Sequence, residues 1–214
     1  EVGYAEKIFD QNAAKKLGLI QNQVTVLIHT GSRGLGHQVA TDYIRLMNRV
    51  MASYGISLPD RELACAPFLS KEGREYFAAM ASAANFAWAN RQLITFKVRK
   101  AFGRVFGKEA PGLSVVYDVA HNIAKVEEYE IEDVRKEVVV HRKGATRALP
   151  PGDKKNPTRY KGTGHPILIP GSMGTASYVL VGNEAASATF YSTPHGAGRL
   201  MRRHEANRRY RGEK

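Results

Sequence analysis

The sequence predicts an α+β protein in which mixed β-sheets are layered with flanking helices. Short β-branched apolar runs such as Gln23–His29 are typical of strands, and the alanine-rich stretch Ser70–Phe106 is typical of a long helix. Strands and helices do not alternate strictly, which disfavours a doubly wound parallel sheet. The chain has 214 residues, of which 43% are hydrophobic, so it can bury a substantial core. We expect one domain over residues 1–214.

In chain order, a glycine-rich loop ends the strand Gln23–His29, and a helix is expected from near His37 to about Met51. The long helix Ser70–Phe106 follows, and Gly103 and Gly107 interrupt it. The predicted later elements are the strands Leu113–His121, Glu137–Gly144, His165–Pro170 and Tyr178–Gly182, a short helix Glu184–Ala188 and a closing basic helix. The acidic stretch Glu127–Glu132 is expected to precede a strand, and Pro150–Lys161 to be an exposed loop.

Composition limits the compartment and the partners. The single cysteine, Cys65, excludes an intrachain disulfide or a cysteine-cluster metal site in this chain. No apolar run approaches the roughly 18 residues of a membrane span, and the first residues do not have the pattern of a signal peptide. We therefore expect a cytoplasmic protein without membrane association. A formal net charge of +12 favours a polyanionic partner such as a nucleic acid, although a merely basic soluble protein would have the same balance.

Two histidines follow predicted strands. His29 precedes a loop in which Gly31, Gly34 and Gly36 allow backbone N–H groups to approach an anion, and Arg33 adds a positive charge. The loop has neither a Walker A nor a dinucleotide-binding pattern, so a plain tight turn explains it equally well. His121 ends another predicted strand, and two such imidazoles could share one transition-metal ion. The alternative for His121 is a hydrogen-bonded, half-buried histidine.

Two further loops carry candidate chemistry. The segment GSMGTAS, Gly171 to Ser177, offers hydroxyls and glycines that suit a nucleotide, although a β-turn would look the same. His195 lies in HGAGR at the start of a basic helix, where helix N–H groups and arginines favour a neutral, nucleophilic imidazole. An incidental histidine on a solvated basic helix would explain the arginines but not the glycines.

Six stretches together are similar to the RtcB family of RNA-splicing ligases. They are HTGSRGLGHQVATDY, AANFAWANRQ, YDVAHNIAKVE, VHRKGATRALPPG, PILIPGSMGTASYVLVG and HGAGR, and they stand in the family's order over nearly the whole chain. The resemblance implies an RtcB-like α+β fold and an RNA ligase that depends on GTP and manganese. Such a ligase joins RNA 3′-phosphate or 2′,3′-cyclic phosphate ends to 5′-hydroxyl ends through a histidine–GMP intermediate, in tRNA splicing and RNA repair. It also implies archease as a further partner.

The resemblance also implies the roles of individual residues. His195 corresponds to the guanylylated histidine, and His29 and His121 correspond to metal ligands. Arg33 and Arg199 match basic residues near the reacting phosphates. The positions that match guanylate contacts are Asn122, Pro170, Gly171, Ser172, Met173, Ser177, Gly196, Ala197 and Gly198. His141, which lysine and arginine residues surround, is a rival nucleophile, but the family's pattern gives it a structural or substrate-positioning role.

The sequence departs from the family pattern at several points. The family's metal-binding aspartate and cysteine, its GNHF motif and its guanine-contacting lysine are not among these 214 residues, and Cys65 does not replace the cysteine. Pro194 stands where the family usually has cysteine or alanine, and it restricts the backbone before His195. We therefore expect an incomplete catalytic domain that does not ligate RNA by itself. The competing hypotheses are a non-catalytic RNA- or nucleotide-binding remnant and a metal-dependent phosphoesterase.

Overall fold

The computed structural model describes residues 1–109, 112–171, 175–196, 205 and 208–209. The chain divides into two compact units. Unit 1 comprises Glu1–Tyr4 and Val24–Ala124, and unit 2 comprises Ala5–Gln23 and Lys125–Lys214. The described helices and small antiparallel sheets confirm the α+β class. The layering of the sheets stays a prediction. The single domain also stays a prediction, because a domain is defined by independent folding rather than by the density of contacts.

Three helices and eight strands are present in the described part of the chain. The helices are α1 (Gln11–Leu17), α2 (Arg33–Val50) and α3 (Lys71–Phe106). The strands are β1 (Val2–Tyr4), β2 (Val24–Val26), β3 (Asn122–Ile131), β4 (Val134–Lys143), β5 (Ala145–Arg147), β6 (Pro166–Ile169), β7 (Tyr178–Val181) and β8 (Ser192–Pro194). They pair as β1–β2, β3–β4, β5–β8 and β6–β7. Short 3-10 helices cover Met51–Tyr54, Arg61–Leu63, Gly107–Glu109, Thr158–Tyr160 and Glu184–Thr189.

The long helix α3 confirms the predicted stretch Ser70–Phe106, but the predicted interruption at Gly103 is wrong, because Gly103 lies within the helix. Ser70 caps it, because its hydroxyl accepts a hydrogen bond from the backbone N–H of Gly73, and Gly107 ends it with φ of 58°. Inside unit 1, α2 packs against α3, and Tyr43 meets Tyr76 at 5.2 Å between ring centroids. No helix among the described residues is long and apolar enough to span a bilayer.

The strand predicted at Leu113–His121 is wrong. That segment contains no strand, and β3 begins only at Asn122. β3 includes most of the acidic stretch Glu127–Glu132, which was predicted to lie before a strand rather than within one. β3 and β4 form a hairpin through Glu132 and Asp133, whose φ values of 54° and 58° are those of a type I′ turn. The prediction missed β3 for two reasons. A type I′ turn usually contains asparagine or glycine rather than Glu132 and Asp133, and a charged residue such as Glu127 was not expected at a buried position of a strand.

Three other boundaries and one prediction of exposure differ from the structure. β4 begins at Val134, three residues before the predicted Glu137. β2 ends at Val26, three residues before His29, and α2 begins at Arg33 rather than near His37. The segment predicted as an exposed loop at Pro150–Lys161 contains the buried side chain of Tyr160. Of the closing basic helix, Glu205, Arg208 and Arg209 are helical, and its remainder lies outside the described residues.

The core of unit 2 lies beneath β5 and β6. Leu149, Thr146 and Pro166 have the largest fully buried side chains in the described chain. Gly182, at the end of β7, must be glycine, because a Cβ there would collide with the carbonyl oxygens of Ala148 and Leu149. The backbone that follows β7 therefore approaches the backbone that follows β5 closely at this point.

Candidate functional site

In unit 1, two histidines from distant parts of the sequence face each other. His29 follows β2 and His121 directly precedes β3, and their Nε2 atoms lie 3.5 Å apart. The ring centroids are 5.0 Å apart and the rings meet edge-on. His29 is exposed and His121 is half-buried. The structure thus brings together the two histidines that sequence analysis proposed as a pair, and we call them the histidine pair.

Helix α3 holds the segments that carry the histidine pair. Asn90 Nδ2 donates to the carbonyl oxygen of Gly31 at 3.0 Å, and Arg91 Nη1 donates to that of Thr30 at 3.3 Å. Arg91 Nε also donates to Asp118 Oδ1 at 2.5 Å, three residues before His121. Sequence reasoning missed these two residues, although both lie in the matching stretch AANFAWANRQ. An asparagine–arginine pair inside an apolar helix was the signal that could have found them.

The geometry of the histidine pair fits a shared transition-metal ion. Two ligand nitrogens at about 2.1 Å from one ion lie about 3.0 to 3.4 Å apart at ordinary coordination angles. The observed Nε2 separation of 3.5 Å is close to that range. Imidazole nitrogens suit several first-row transition metals, and manganese also takes oxygen ligands, so the pair is a partial ligand set.

Arg33 begins α2 in a strained conformation. Its φ is 54° and its side chain is exposed beside a shallow depression that Gly34, His37 and Gln38 also line. Backbone strain of this kind is concentrated at functional positions, and the first turn of a helix offers N–H groups to anions. Gly36 leaves room for the side chain of Ser32, because a Cβ there would collide with the Ser32 hydroxyl oxygen.

In unit 2, His195 directly follows β8 and is anchored to Gly144. β8 pairs antiparallel with β5, with Pro194 opposite Ala145. The pairing continues through the backbone N–H of His195, which donates to the Gly144 carbonyl oxygen at 3.2 Å, while His195 Nδ1 lies 2.8 Å from the same oxygen. A carbonyl oxygen only accepts, so Nδ1 carries the hydrogen and Nε2 of the neutral ring keeps its lone pair.

The loop between β6 and β7 lies near His195. β6 and β7 pair antiparallel, and the Ser177 hydroxyl accepts a hydrogen bond from the backbone N–H of Gly171 at 3.0 Å. A Cβ at Gly171 would collide with carbonyl oxygens of Thr175 and Ala176, so the tight loop requires glycine. A Cβ at Gly196 would lie 4.0 Å from the Pro170 carbonyl oxygen. Two segments that sequence analysis assigned to guanylate therefore adjoin.

A buried carboxylate joins β3 to β4 and β5, and sequence reasoning missed it. Glu127 accepts two hydrogen bonds of 2.9 Å from Arg142, and it also accepts from Arg147 and Tyr129. Burial alone would raise the pKa of Glu127, but the hydrogen bonds from Arg142, Tyr129 and Arg147 outweigh it and lower the pKa to about 2. Burial and the Glu127 hydrogen bond raise the pKa of Tyr129 to about 12. At neutral pH the carboxylate is therefore ionised.

The family model for tRNA-splicing ligase RtcB matches residues 1–214. The chain belongs to the RtcB family. The tRNA-splicing ligase RtcB of Pyrococcus furiosus is 58% identical over 218 residues, which is 100% of this chain and 22% of that protein. Those of Thermococcus kodakarensis and Archaeoglobus fulgidus are 56% and 55% identical and cover 100% and 99% of this chain. The chain spans 45% of the length of each of these two relatives.

The RtcB resemblance assigns residues that the structure describes only in part. Asn122 is exposed as the first residue of β3, and Pro170, Gly171 and Ser177 flank the β6–β7 loop. His141 is exposed on β4. The assigned residues that lie outside the described part of the chain are Ser172, Met173, Ala197, Gly198 and Arg199. The individual roles of these RtcB positions stay predictions.

Replacing Gly144 with alanine is expected to lower the free energy of unfolding by about 1 kcal/mol, because a left-handed backbone disfavours a Cβ. Its φ is 66°, and the new Cβ would lie 3.6 Å from the His195 ring. Gly152→Ala is the matched control, since Gly152 has φ of 84° and nothing within 4 Å of its Cβ position. Urea denaturation should give similar losses for both variants, and a much larger loss at Gly144 would contradict the ordinary contact with His195.

Proposed function

We propose that the protein carrying this chain is an RNA ligase that uses GTP and manganese to join RNA ends. The ends are a 3′-phosphate or 2′,3′-cyclic phosphate and a 5′-hydroxyl, as in tRNA splicing and RNA repair. Membership of the RtcB family supports this proposal. The structural observation that carries it is the bond of His195 Nδ1 to the Gly144 carbonyl oxygen, which leaves Nε2 as the nucleophilic nitrogen.

In the proposed first step, His195 Nε2 attacks the α-phosphorus of GTP. A nitrogen–phosphorus bond forms, and the bond from the α-phosphorus to the bridging oxygen breaks with its electron pair, so that pyrophosphate leaves. The ring becomes positively charged, and the Gly144 carbonyl oxygen stabilises the Nδ1–H that carries this charge. In the later steps water opens a 2′,3′-cyclic phosphate, where present, to a 3′-phosphate and a 2′-hydroxyl. GMP then passes from His195 to the RNA 3′-phosphate, and the 5′-hydroxyl of the second RNA displaces GMP.

His29 and His121 would hold the manganese, which supplies Lewis-acid polarisation of a phosphate when bound. Arg33, exposed at the start of α2, would bind a phosphate oxygen of the nucleotide or of RNA. The loop ends Pro170, Gly171 and Ser177 would contact guanylate. RNA and GTP are accordingly the proposed partners, with archease as a further one, and the cytoplasm is the proposed location.

The test is covalent labelling of the complete protein that carries this sequence. With radiolabelled GTP and manganese, the protein should acquire a GMP adduct that is labile in acid and stable in alkali, as a phosphoramide is. His195→Ala should abolish the adduct, because it removes the nitrogen that attacks the phosphorus. His141→Ala is the control with a second histidine of unit 2, and it should keep the adduct at least in part.

The opposite pattern, with the adduct lost only in His141→Ala, would make the nucleophile assignment wrong. GTP binding without any adduct in the unmodified protein would contradict the ligase and favour a non-catalytic nucleotide-binding protein.

A further inference from the structure

The segment before β8 is strained. Phe190 and Tyr191 have φ of 50° and 48°, a conformation that side chains of this size rarely adopt. Such residues persist only where surrounding contacts hold them. Because β8 begins at Ser192 and His195 directly follows it, the contacts that hold this segment also determine where the imidazole lies.

One guanidinium donates two hydrogen bonds to Phe190 and Ser192, in addition to those from Tyr129 and from backbone groups. Arg142 Nη2 donates to the Phe190 carbonyl oxygen at 3.0 Å, and its Nε donates to Ser192 Oγ at 2.9 Å. Glu127 in turn fixes the guanidinium through two hydrogen bonds of 2.9 Å. The two side chains are 2% and 4% exposed, so water cannot replace these bonds.

The same carboxylate holds the partner strand of β8. Glu127 accepts from Arg147, which lies in β5 opposite Ser192, and β5 follows Gly144, whose carbonyl oxygen binds the His195 ring. Glu127 therefore reaches both sides of the β5–β8 pair. Both strands position His195. β8 does so because His195 directly follows it, and β5 does so because the preceding Gly144 contacts the His195 ring.

We propose that Glu127 and Arg142 are positioning residues for His195, so that disturbing them slows transfer of GMP to this histidine. The inference rests on the proposed function and extends it to residues that do not touch the nucleotide. A nucleophile displaced by about 1 Å loses roughly 100-fold in rate. The two hydrogen bonds from Arg142 to Glu127 restrict the planar guanidinium, and through it the segment before β8, far more than a single flexible contact would.

The experiment is single-turnover labelling of the complete protein with saturating GTP and manganese, in which the rate constant and the final labelled fraction are measured separately. Ser192→Ala removes one acceptor of Arg142 and should lower the rate constant roughly 10-fold, and Glu127→Gln should lower it roughly 100-fold. The final labelled fraction should stay unchanged. In a separate series at lower GTP concentrations, the concentration that gives half of the maximal rate constant should also stay unchanged. Ser192→Thr, which keeps the hydroxyl, should restore the rate constant.

Ser82→Ala is the matched control, because that hydroxyl donates only to the Ala78 carbonyl oxygen within α3. If the variants lowered the labelled fraction in proportion to the folded fraction while the rate constant stayed the same, the network would have a packing role alone and the proposal would be overturned. If Glu127→Gln does not fold, the rate constant of Ser192→Ala still tests whether the network positions His195. Failure of the unmodified protein to take up GMP would instead overturn the proposed function itself.

Discussion

Replacing Arg91 with alanine is expected to lower the free energy of unfolding by about 3 kcal/mol, because it leaves a partly buried carboxylate without its cation. The Arg91 side chain is 11% exposed and that of Asp118 is 34% exposed. The substitution also removes the hydrogen bond to the Thr30 carbonyl oxygen, next to His29. Urea denaturation of the protein with and without the change measures the loss.

If the histidine pair holds manganese as proposed, the same substitution should weaken manganese binding about 10-fold or more, because residues that orient metal ligands commonly contribute that factor. Titration calorimetry with manganese alone measures it. Arg99→Ala is the matched control on α3, since Arg99 is exposed and donates to the Leu113 carbonyl oxygen at 3.0 Å. Equal and small effects of both substitutions on stability and affinity would show that Arg91 does not hold the histidine pair.

Acidification from pH 6.5 to pH 4 is expected to lower the free energy of unfolding by about 3 kcal/mol through His165 alone. His165 is 4% exposed. Burial, which has the largest effect, and the nearby positive charges of Arg147, Lys125 and Arg142 together lower the pKa of His165 to about 4, against one backbone hydrogen bond that raises it. Between these two pH values the unfolded chain binds a proton that the folded chain does not, so stability falls as pH falls.

The measurement is the difference in unfolding free energy between pH 7 and pH 4 for the unmodified protein and for His165→Gln. The variant should lose about 3 kcal/mol of that difference, whatever its stability at pH 7. His141→Gln, which changes an exposed histidine of the same unit, should leave the difference in place. Glu127 contributes at lower pH, because its pKa of about 2 confines its loss to the interval below about 4.5. An unchanged pH dependence in His165→Gln would contradict the assignment.

Local patterns were sufficient to predict several elements. The helix α3 was predicted from its alanine content, and β6 and β7 from short apolar runs bounded by glycine and proline. The strand predicted at Leu113–His121 was wrong although its apolar residues suit a strand. Side chains of α3 donate hydrogen bonds to Leu113 and Asp118 in this segment instead. Strand formation depends on a partner, and a partner is not visible in a local window.

Charged residues were the least predictable part of the candidate site. Glu127 belongs to an acidic stretch that composition assigns to the surface, yet its side chain is 4% exposed because Arg142 and Arg147 face it. Arg91 likewise lies in the matching stretch AANFAWANRQ, but no structural or functional role was predicted for it. The energy of a buried charge depends on its partner, and these partners lie 15, 20 and 27 residues away in sequence.

The sequence by itself determined the RtcB family, the α+β class and the identity of the candidate residues His29, His121 and His195, because these depend on residue types in a fixed order. The tertiary structure decided that His29 and His121 face each other, that the Gly144 carbonyl oxygen selects the tautomer of His195, and that Glu127 and Arg142 hold the segment before it. Each of these is a distance or direction between atoms of separate elements. Such distances are fixed only when the chain has packed and buried charges have found their partners.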